Sequence, residues 1–174
     1  MAVKIGMSTN GVLSPLWADW RECQANESPL ACELRINKPA FVLVGLGTND
    51  SYDVRTEPVE ERLRQVIDII IANGSVPIMT TKVDNLEGDH TINRMIARLA
   101  YEYDIPLYNL WAAMQPLPEK GLETAFHYTS GENGPCEFDD PINLQYGWTI
   151  RNLTTLQTLD AVWRGVTGQP PAQP

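Results

Sequence analysis

PAFVLVGLGTND, residues 39–50, is the stretch that decides the fold class. Ala40 to Val44 is a short, nearly unbroken apolar run. It lacks the alternation of a half-exposed strand, so it reads as a strand buried on both faces. Gly45 and Gly47 open a tight exit. Thr48, Asn49 and Asp50 then arrive at the strand's carboxyl end, the edge where open α/β sheets bind ligands. An amide and a carboxylate held there can donate to, accept from or charge-stabilise a bound group. The same residues also suit a plain polar turn, with Asn49 and Asp50 satisfying local backbone groups.

Working outward, Ser28 and Pro29 mark a helix start, and Leu30 to Ile36 forms a two-turn helix feeding the strand. Further upstream, Leu13 to Gln24 carries Leu16, Trp17 and Trp20 at helical spacing, with Pro15 in its first turn. Ala2 to Ile5 is a weak strand, with Gly6 to Gly11 as its exit turn. Downstream, a polar connection ends at Thr56, an N-cap candidate ahead of Pro58. Leu63, Val66, Ile67 and Ile70 follow as a core-facing helical stripe, and Asn73-Gly74 stops that helix. Val76 to Thr80 is the next strand, and Thr81 to Gly88 its polar exit. Asp89 can cap a second long helix with the stripe Ile92, Met95, Ile96, Leu99 and Tyr103. Ile105 to Leu110 is a third strand.

Leu122 to Asn143 is a long polar stretch containing His127; such loops inside a compact domain are usually functional or disordered. Leu144 to Val166 reads as a closing helix, with Ile150, Leu153, Leu156, Leu159, Val162 and Trp163 on or near its buried side. The order strand–helix–strand–helix–strand–loop–helix is the signature of a parallel sheet with helices on both faces. It predicts one domain over residues 1–168 and a proline-rich, solvated tail over 169–174.

Composition narrows the function classes. The chain has 174 residues, 43% hydrophobic and 20% charged, with a net charge of −9. That balance argues against electrostatic binding to nucleic acid or to an anionic membrane, since both need a basic face. No apolar run approaches the roughly 18 residues of a membrane span, and no secretory signal pattern is visible. Of the three cysteines, Cys23 and Cys32 bracket a short polar loop and Cys136 lies far away. A Cys23–Cys32 bridge would suit an exported protein; two unpaired thiols fit the sequence equally well. No CxxC pair is present and only His90 and His127 could add nitrogen ligands, so no metal site and no cofactor is expected. GLGTND is not GxGxxG and no lysine follows it, which disfavours a nucleotide-binding module.

Three polar groups fall at carboxyl ends of strands or beyond: Gly6 to Thr9, Thr48 to Asp50, and His127. A histidine there is a candidate general base. Asn49 could supply a side-chain donor to a developing oxyanion, and the Gly6 N–H a second one. A lone loop histidine bonded to local carbonyls is the bland alternative for His127.

GLGTND after a buried strand resembles the third signature block, Gly-x-Asn-Asp, of the SGNH/GDSL ester hydrolases. VPIMTT, IPLYNLW and the late His127 before the last helix are similar to that family in order and spacing. So are NLQYGWTIRNLTTLQTLDAVW and GVLSPLWADW…CQANESPLACELR, which look like a bacterial exported branch. The resemblance implies a flavodoxin-like three-layer α/β/α parallel sheet and acyl-ester hydrolysis, on small esters or acetylated carbohydrate, in an extracellular or periplasmic setting. It implies Asn49 as an oxyanion donor, Gly6 as the second, Asp50 as a loop-holding neighbour and His127 as the base.

The chain departs from that pattern twice. There is no Gly-Asp-Ser; Gly6-Met7-Ser8 is the nearest match, and GMSTNGVLSP fits the family's second block better. The first block, with its central strand and nucleophile, is then absent and the sheet N-terminally incomplete. Three residues before His127 stands Thr124, not aspartate, and losing a triad carboxylate can cost about 10⁴ in rate. The gap in the sheet could be filled by Ala2 to Ile5, which would place Ser8 at the nucleophile's station. A partner strand, from a homo-oligomer or another chain, or a missing upstream piece would also fill it. A non-catalytic relative that binds carbohydrate or protein is the alternative to an active hydrolase.

Overall fold

In the computed structural model, residues 2–51 and 57–170 are described. The expected N-cap at Thr56, most of the connection before it and the last four residues of the tail lie outside them. The chain groups into two compact units: Met1–Lys82 with Leu86–Leu107, and Val83–Asn85 with Tyr108–Pro174.

The first unit is a mixed α/β layer structure. It holds helices α1 (Thr9–Leu13) and α2 (Pro29–Asn37), strand β1 (Phe41–Val44), helix α3 (Glu57–Ala72), strand β2 (Val76–Thr80) and helix α4 (Thr91–Glu102). β1 and β2 run parallel, with Phe41 opposite Val76 and Val44 opposite Met79. A short β3 (Leu107–Tyr108) completes a three-stranded sheet in the order β1-β2-β3. The mixed α/β class and the parallel sheet flanked by helices agree with the sequence expectation. β1 is an edge strand, since no described strand pairs with its outer side.

The core of this unit is the two stripes foreseen from periodicity. Leu63, Val66, Ile67 and Ile70 of α3 and Ile92, Met95, Ile96 and Leu99 of α4 are all buried, packed with Leu30, Leu34, Val44 and Met79. Ser28 caps α2 by accepting from the Ala31 N–H at 3.2 Å, and Gly74 (φ 81°) ends the turn after α3. Asp89 accepts from the Thr91 N–H and hydroxyl at 3.0 and 2.7 Å, doing the capping work although His90 is the residue just before α4.

Three expectations are corrected here. Ala2–Ile5 is not a strand: the chain is irregular and then turns, with Val3 88% and Ile5 102% exposed. The Met7 N–H closes that turn on the Lys4 carbonyl at 3.1 Å, and Gly6 takes φ 78°, which a strand would not allow. This segment therefore adds no strand to the described sheet. Leu13–Gln24 is not one helix: α1 starts earlier, at Thr9, and a 3₁₀ turn at Pro15–Trp17 follows. Pro15 supplies no N–H, and the Ser14 N–H bonds back to Gly11, so the first helix ends there. The third strand shrinks from Ile105–Leu110 to Leu107–Tyr108 because Asn109 caps a new helix, α5 (Leu110–Met114), through the Ala112 N–H at 3.1 Å.

The second unit holds α5, 3₁₀ turns at Pro118–Gly121 and Asn143–Gln145, and the long α6 (Gly147–Thr167). Its buried apolar side chains are Val83, Tyr108, Leu110 and Met114, among the described residues. In α6 only Gly147 and Thr149 are fully buried; Leu156 and Trp163, expected on the inner side, are 56% and 45% exposed. Helical periodicity shows which residues share a face, not whether anything covers it. What holds the unit is backbone interlock: Gly147 approaches Gly121 so closely that a Cβ on it would collide with the Gly121 carbonyl. The Thr129 hydroxyl accepts from the Gly147 N–H at 2.7 Å and the Thr129 carbonyl from Trp148 N–H at 3.1 Å, which caps the start of α6.

Candidate functional site

In the first unit, the carboxyl end of β1 delivers Gly47 and then Thr48–Asp50 as one 3₁₀ turn. Gly47 has φ 125°, and a Cβ there would press to 2.8 Å from Ile92, so glycine is required both by conformation and by packing. Asp50 is 4% exposed. Its carboxylate accepts from the Thr9 N–H (3.1 and 3.0 Å) and the Thr9 hydroxyl (2.6 Å). Arg62 donates to the Thr9 hydroxyl at 2.9 Å and lies 3.9 Å from Asp50. Asp50 thus ties β1's exit loop to the Gly6–Thr9 loop; every one of these contacts is within the protein, a loop-holding arrangement.

Asn49 faces outward, and its Nδ2 donates to the Met7 carbonyl at 2.9 Å. That bond uses one of the two amide hydrogens. The structure therefore brings Asn49 and Asp50 together with Met7 and Thr9 at the end of β1. Gly6 is exposed. Ser8 is the N-cap of α1, its hydroxyl oxygen accepting from the Gly11 N–H at 3.1 Å. Its hydroxyl hydrogen is not used by that bond.

Sequence reading missed Arg62. The available signal was its position: it lies three residues after Val59 and four before Val66, so a cation stands on the edge of the apolar stripe of α3 and needs a partner. It also missed the buried pair beside Gly47, where Lys82 and Glu87 form an ion pair and Ser51 donates to Glu87 at 3.3 Å.

In the second unit, His127 lies near the end of a tight reversal. Leu122 and Tyr128 form an antiparallel bridge, and the Glu123 N–H bonds the His127 carbonyl at 2.9 Å. Thr124 stands where a triad aspartate would. Its hydroxyl is 3.0 Å from His127 Nδ1 and accepts from the His127 N–H at 3.1 Å. The ring also lies against Phe126, with centroids 4.3 Å apart. For His127 to act as a base, Nδ1–H must donate to Thr124, leaving the Nε2 lone pair outward. Thr124 orients the ring in this way but offers no charge to an imidazolium. Neither Glu123 nor Asp139 is hydrogen-bonded to the ring.

Next along the chain, Tyr128 packs edge-on against Trp148 (5.1 Å, 75°), and the Arg151 guanidinium sits 5.2 Å over the Trp148 ring. Burial pushes the Tyr128 phenol above its ordinary pKa, against the opposing pull of Arg151. Cys23 and Cys32 are joined in a disulfide, which resolves the alternatives left open by sequence, and Cys136 is free and exposed.

No protein-family model matches the chain, and no curated protein matches it. Among solved structures it is similar to a GDSL-like lipase from Bacteroides thetaiotaomicron, at 16% identity and a TM-score of 0.49. The superposition covers 72% of this chain and 64% of the lipase, so the chain spans less than two thirds of that protein's length.

Proposed function

We propose that this chain is an SGNH/GDSL-type ester hydrolase of low turnover, acting on small acyl esters or acetylated carbohydrate. The observation that carries the reading is the oriented pair Thr124–His127: the residue three before the histidine engages Nδ1 and presents Nε2 outward. Asn49, held at the end of β1 by its bond to the Met7 carbonyl, supports it as an oxyanion donor, with the Gly6 N–H as the second. In this reading Ser8 is the nucleophile and His127 the general base, roles proposed for each residue separately. The Cys23–Cys32 disulfide supports an extracellular or periplasmic location.

The test is hydrolysis of p-nitrophenyl acetate together with fluorophosphonate labelling. Ser8→Ala and His127→Ala should both abolish turnover, and Asn49→Ala should lower it about 10²-fold. Thr124→Asp should raise it, because a carboxylate at that position stabilises the imidazolium; the full effect of such a group reaches about 10⁴.

A second reading, a non-catalytic relative, is favoured by one set of bonds. Ser8 serves as a helix cap, Asn49 spends a donor on Met7, and Thr124 is uncharged. It requires no labelling of any serine and no gain of activity in Thr124→Asp.

A further inference from the structure

The second unit contains a cleft of about 330 Å³ lined by Ser130, Gly131, Pro135 and Trp148. That size is at the lower end of small-molecule sites. The indole of Trp148 is 38% exposed, although it sits at the start of a helix, and it is held in place from within. Tyr128 meets it edge-on and Arg151 lies over the ring, so its orientation is set before anything binds.

The opposite wall is built as well. Gly131 packs so close to Asn143 and Tyr146 that a Cβ would collide with the Asn143 Oδ1 and lie 2.8 Å from the Tyr146 ring. Asn143 is 2% exposed and donates to the Gly134 and Glu137 carbonyls at 2.8 and 2.9 Å. Asn152 of α6 donates to the Pro135 carbonyl at 3.1 Å. The loop that carries Ser130, Gly131 and Pro135 is therefore pinned along its length, and the cleft does not depend on a ligand to form.

From this geometry we infer that the cleft is a binding site for a neutral sugar ring, stacked on Trp148. The part of Trp148 that lines the cleft offers an apolar surface for the C–H face of a pyranose. The Ser130 hydroxyl at the rim can exchange hydrogen bonds with ring hydroxyls. Pro135 adds a second apolar wall. The four lining residues carry no charge, which suits a neutral ring. The site is distinct from the hydrolase reading: it uses none of Gly6, Ser8, Asn49, Asp50 or His127, and it holds whether or not the chain turns over an ester.

The experiment follows the indole N–H resonances of the five tryptophans by NMR. The protein is titrated with xylotriose, cellotriose and triacetylchitotriose at millimolar concentration. The expected result is that one indole resonance shifts with at least one of the three sugars, and that it is the resonance missing from Trp148→Phe. Trp148→Ala should weaken binding about tenfold, or about 1.4 kcal/mol. Trp163→Ala, an exposed tryptophan on the same helix, should leave it unchanged. Ser130→Trp keeps Trp148 and its packing but fills the cleft, and should abolish binding while the rest of the spectrum stays native. No indole shift with any sugar, or a shift and affinity that persist in Trp148→Ala and Ser130→Trp, would overturn the assignment. Absence of esterase activity would not, because the readout is binding.

Discussion

Helices α4 and α6 both carry apolar residues at helical spacing, sharply gathered on one face in α4 and only weakly in α6, and they end in different environments. In α4, of the first unit, Ile92, Met95, Ile96 and Leu99 are at most 5% exposed. In α6, of the second, Leu156, Trp163 and Val166 are 56%, 45% and 58% exposed, and the fully buried residues are Gly147 and Thr149. The first unit is held by side-chain burial on a sheet, and the second by hydrogen bonds and close backbone approach around Gly121, Thr129 and Asn143. An apolar stripe therefore tells where a helix lies along the chain; only the packed neighbours decide whether the stripe is used.

This contrast can be broken from the first unit. Ile67→Ala removes a fully buried side chain and should destabilise by about 3 kcal/mol, with the midpoint of chemical denaturation falling accordingly. Leu156→Ala in α6 should cost far less, because the side chain is mostly exposed. Equal losses in the two variants would show that α6's stripe is covered in solution.

The next largest effect concerns the disulfide. Cys23 and Cys32 are nine residues apart, and replacing both by serine should cost about 2–3 kcal/mol by releasing a short closed loop in the unfolded chain. The measurement is thermal unfolding with and without reductant: the wild type should fall to the variant's midpoint when reduced.

Gly147→Ala probes the second unit's interlock. The added methyl meets the Gly121 backbone, which cannot rotate out of the way, so a loss of about 2 kcal/mol is expected, as for an overpacked core. Gly165→Ala, farther along α6, has nothing within reach of the new methyl and should be neutral or slightly stabilising.

The smallest effect is a pH dependence at the surface. Arg35 holds the Glu27 carboxyl well below its ordinary range, at about 2, and Arg98 and Arg64 likewise hold Glu60 below its own. A carboxylate with a lowered folded-state pKa stabilises the fold above its unfolded value and loses that contribution as pH falls through the folded one. For Glu27 the window runs from 4.5 down to about 2. Glu27→Gln should flatten the acid limb in that window by lowering stability at neutral pH, where the pair contributes, and not at about pH 2; the loss is small because the pair lies at the surface.

Much of the first unit was legible in the sequence. The strand at Ala40–Val44, the stripe Leu63–Ile70 and the stop at Asn73-Gly74 rest on local rules of period and turn chemistry, but the run is not buried on both faces: on this edge strand only Val44 is buried, and Leu43 is 38% exposed. Asn49 and Asp50 were legible as a strand-end pair because a strand's exit follows directly from where the strand ends. Ala2–Ile5 misled because a β-like composition without a paired neighbour gains no ladder hydrogen bonds, and the turn at Gly6 won. Leu13–Gln24 misled because Pro15 could open a helix or close one, and α1's start at Thr9, capped by Ser8, decided it.

What the sequence alone determined is therefore the class and its order: strand, helix, strand, helix and a short strand, with polar residues at the exit of β1. Those features depend on neighbours along the chain. Only the tertiary structure decided that Asp50 is spent on Thr9 beside Arg62, that Thr124 grips His127, and that Trp148 stands rigid at a cleft. Asp50 and Thr9, and Trp148 and Tyr128, are distant in sequence and meet at hydrogen-bond or van der Waals range, while Thr124 reaches His127 where the chain reverses between Leu122 and Tyr128; no local period records such meetings. PAFVLVGLGTND shows both sides of that division. Its strand could be read from composition, while the work done by its Asn49 and Asp50 was set by the loop at Gly6–Thr9.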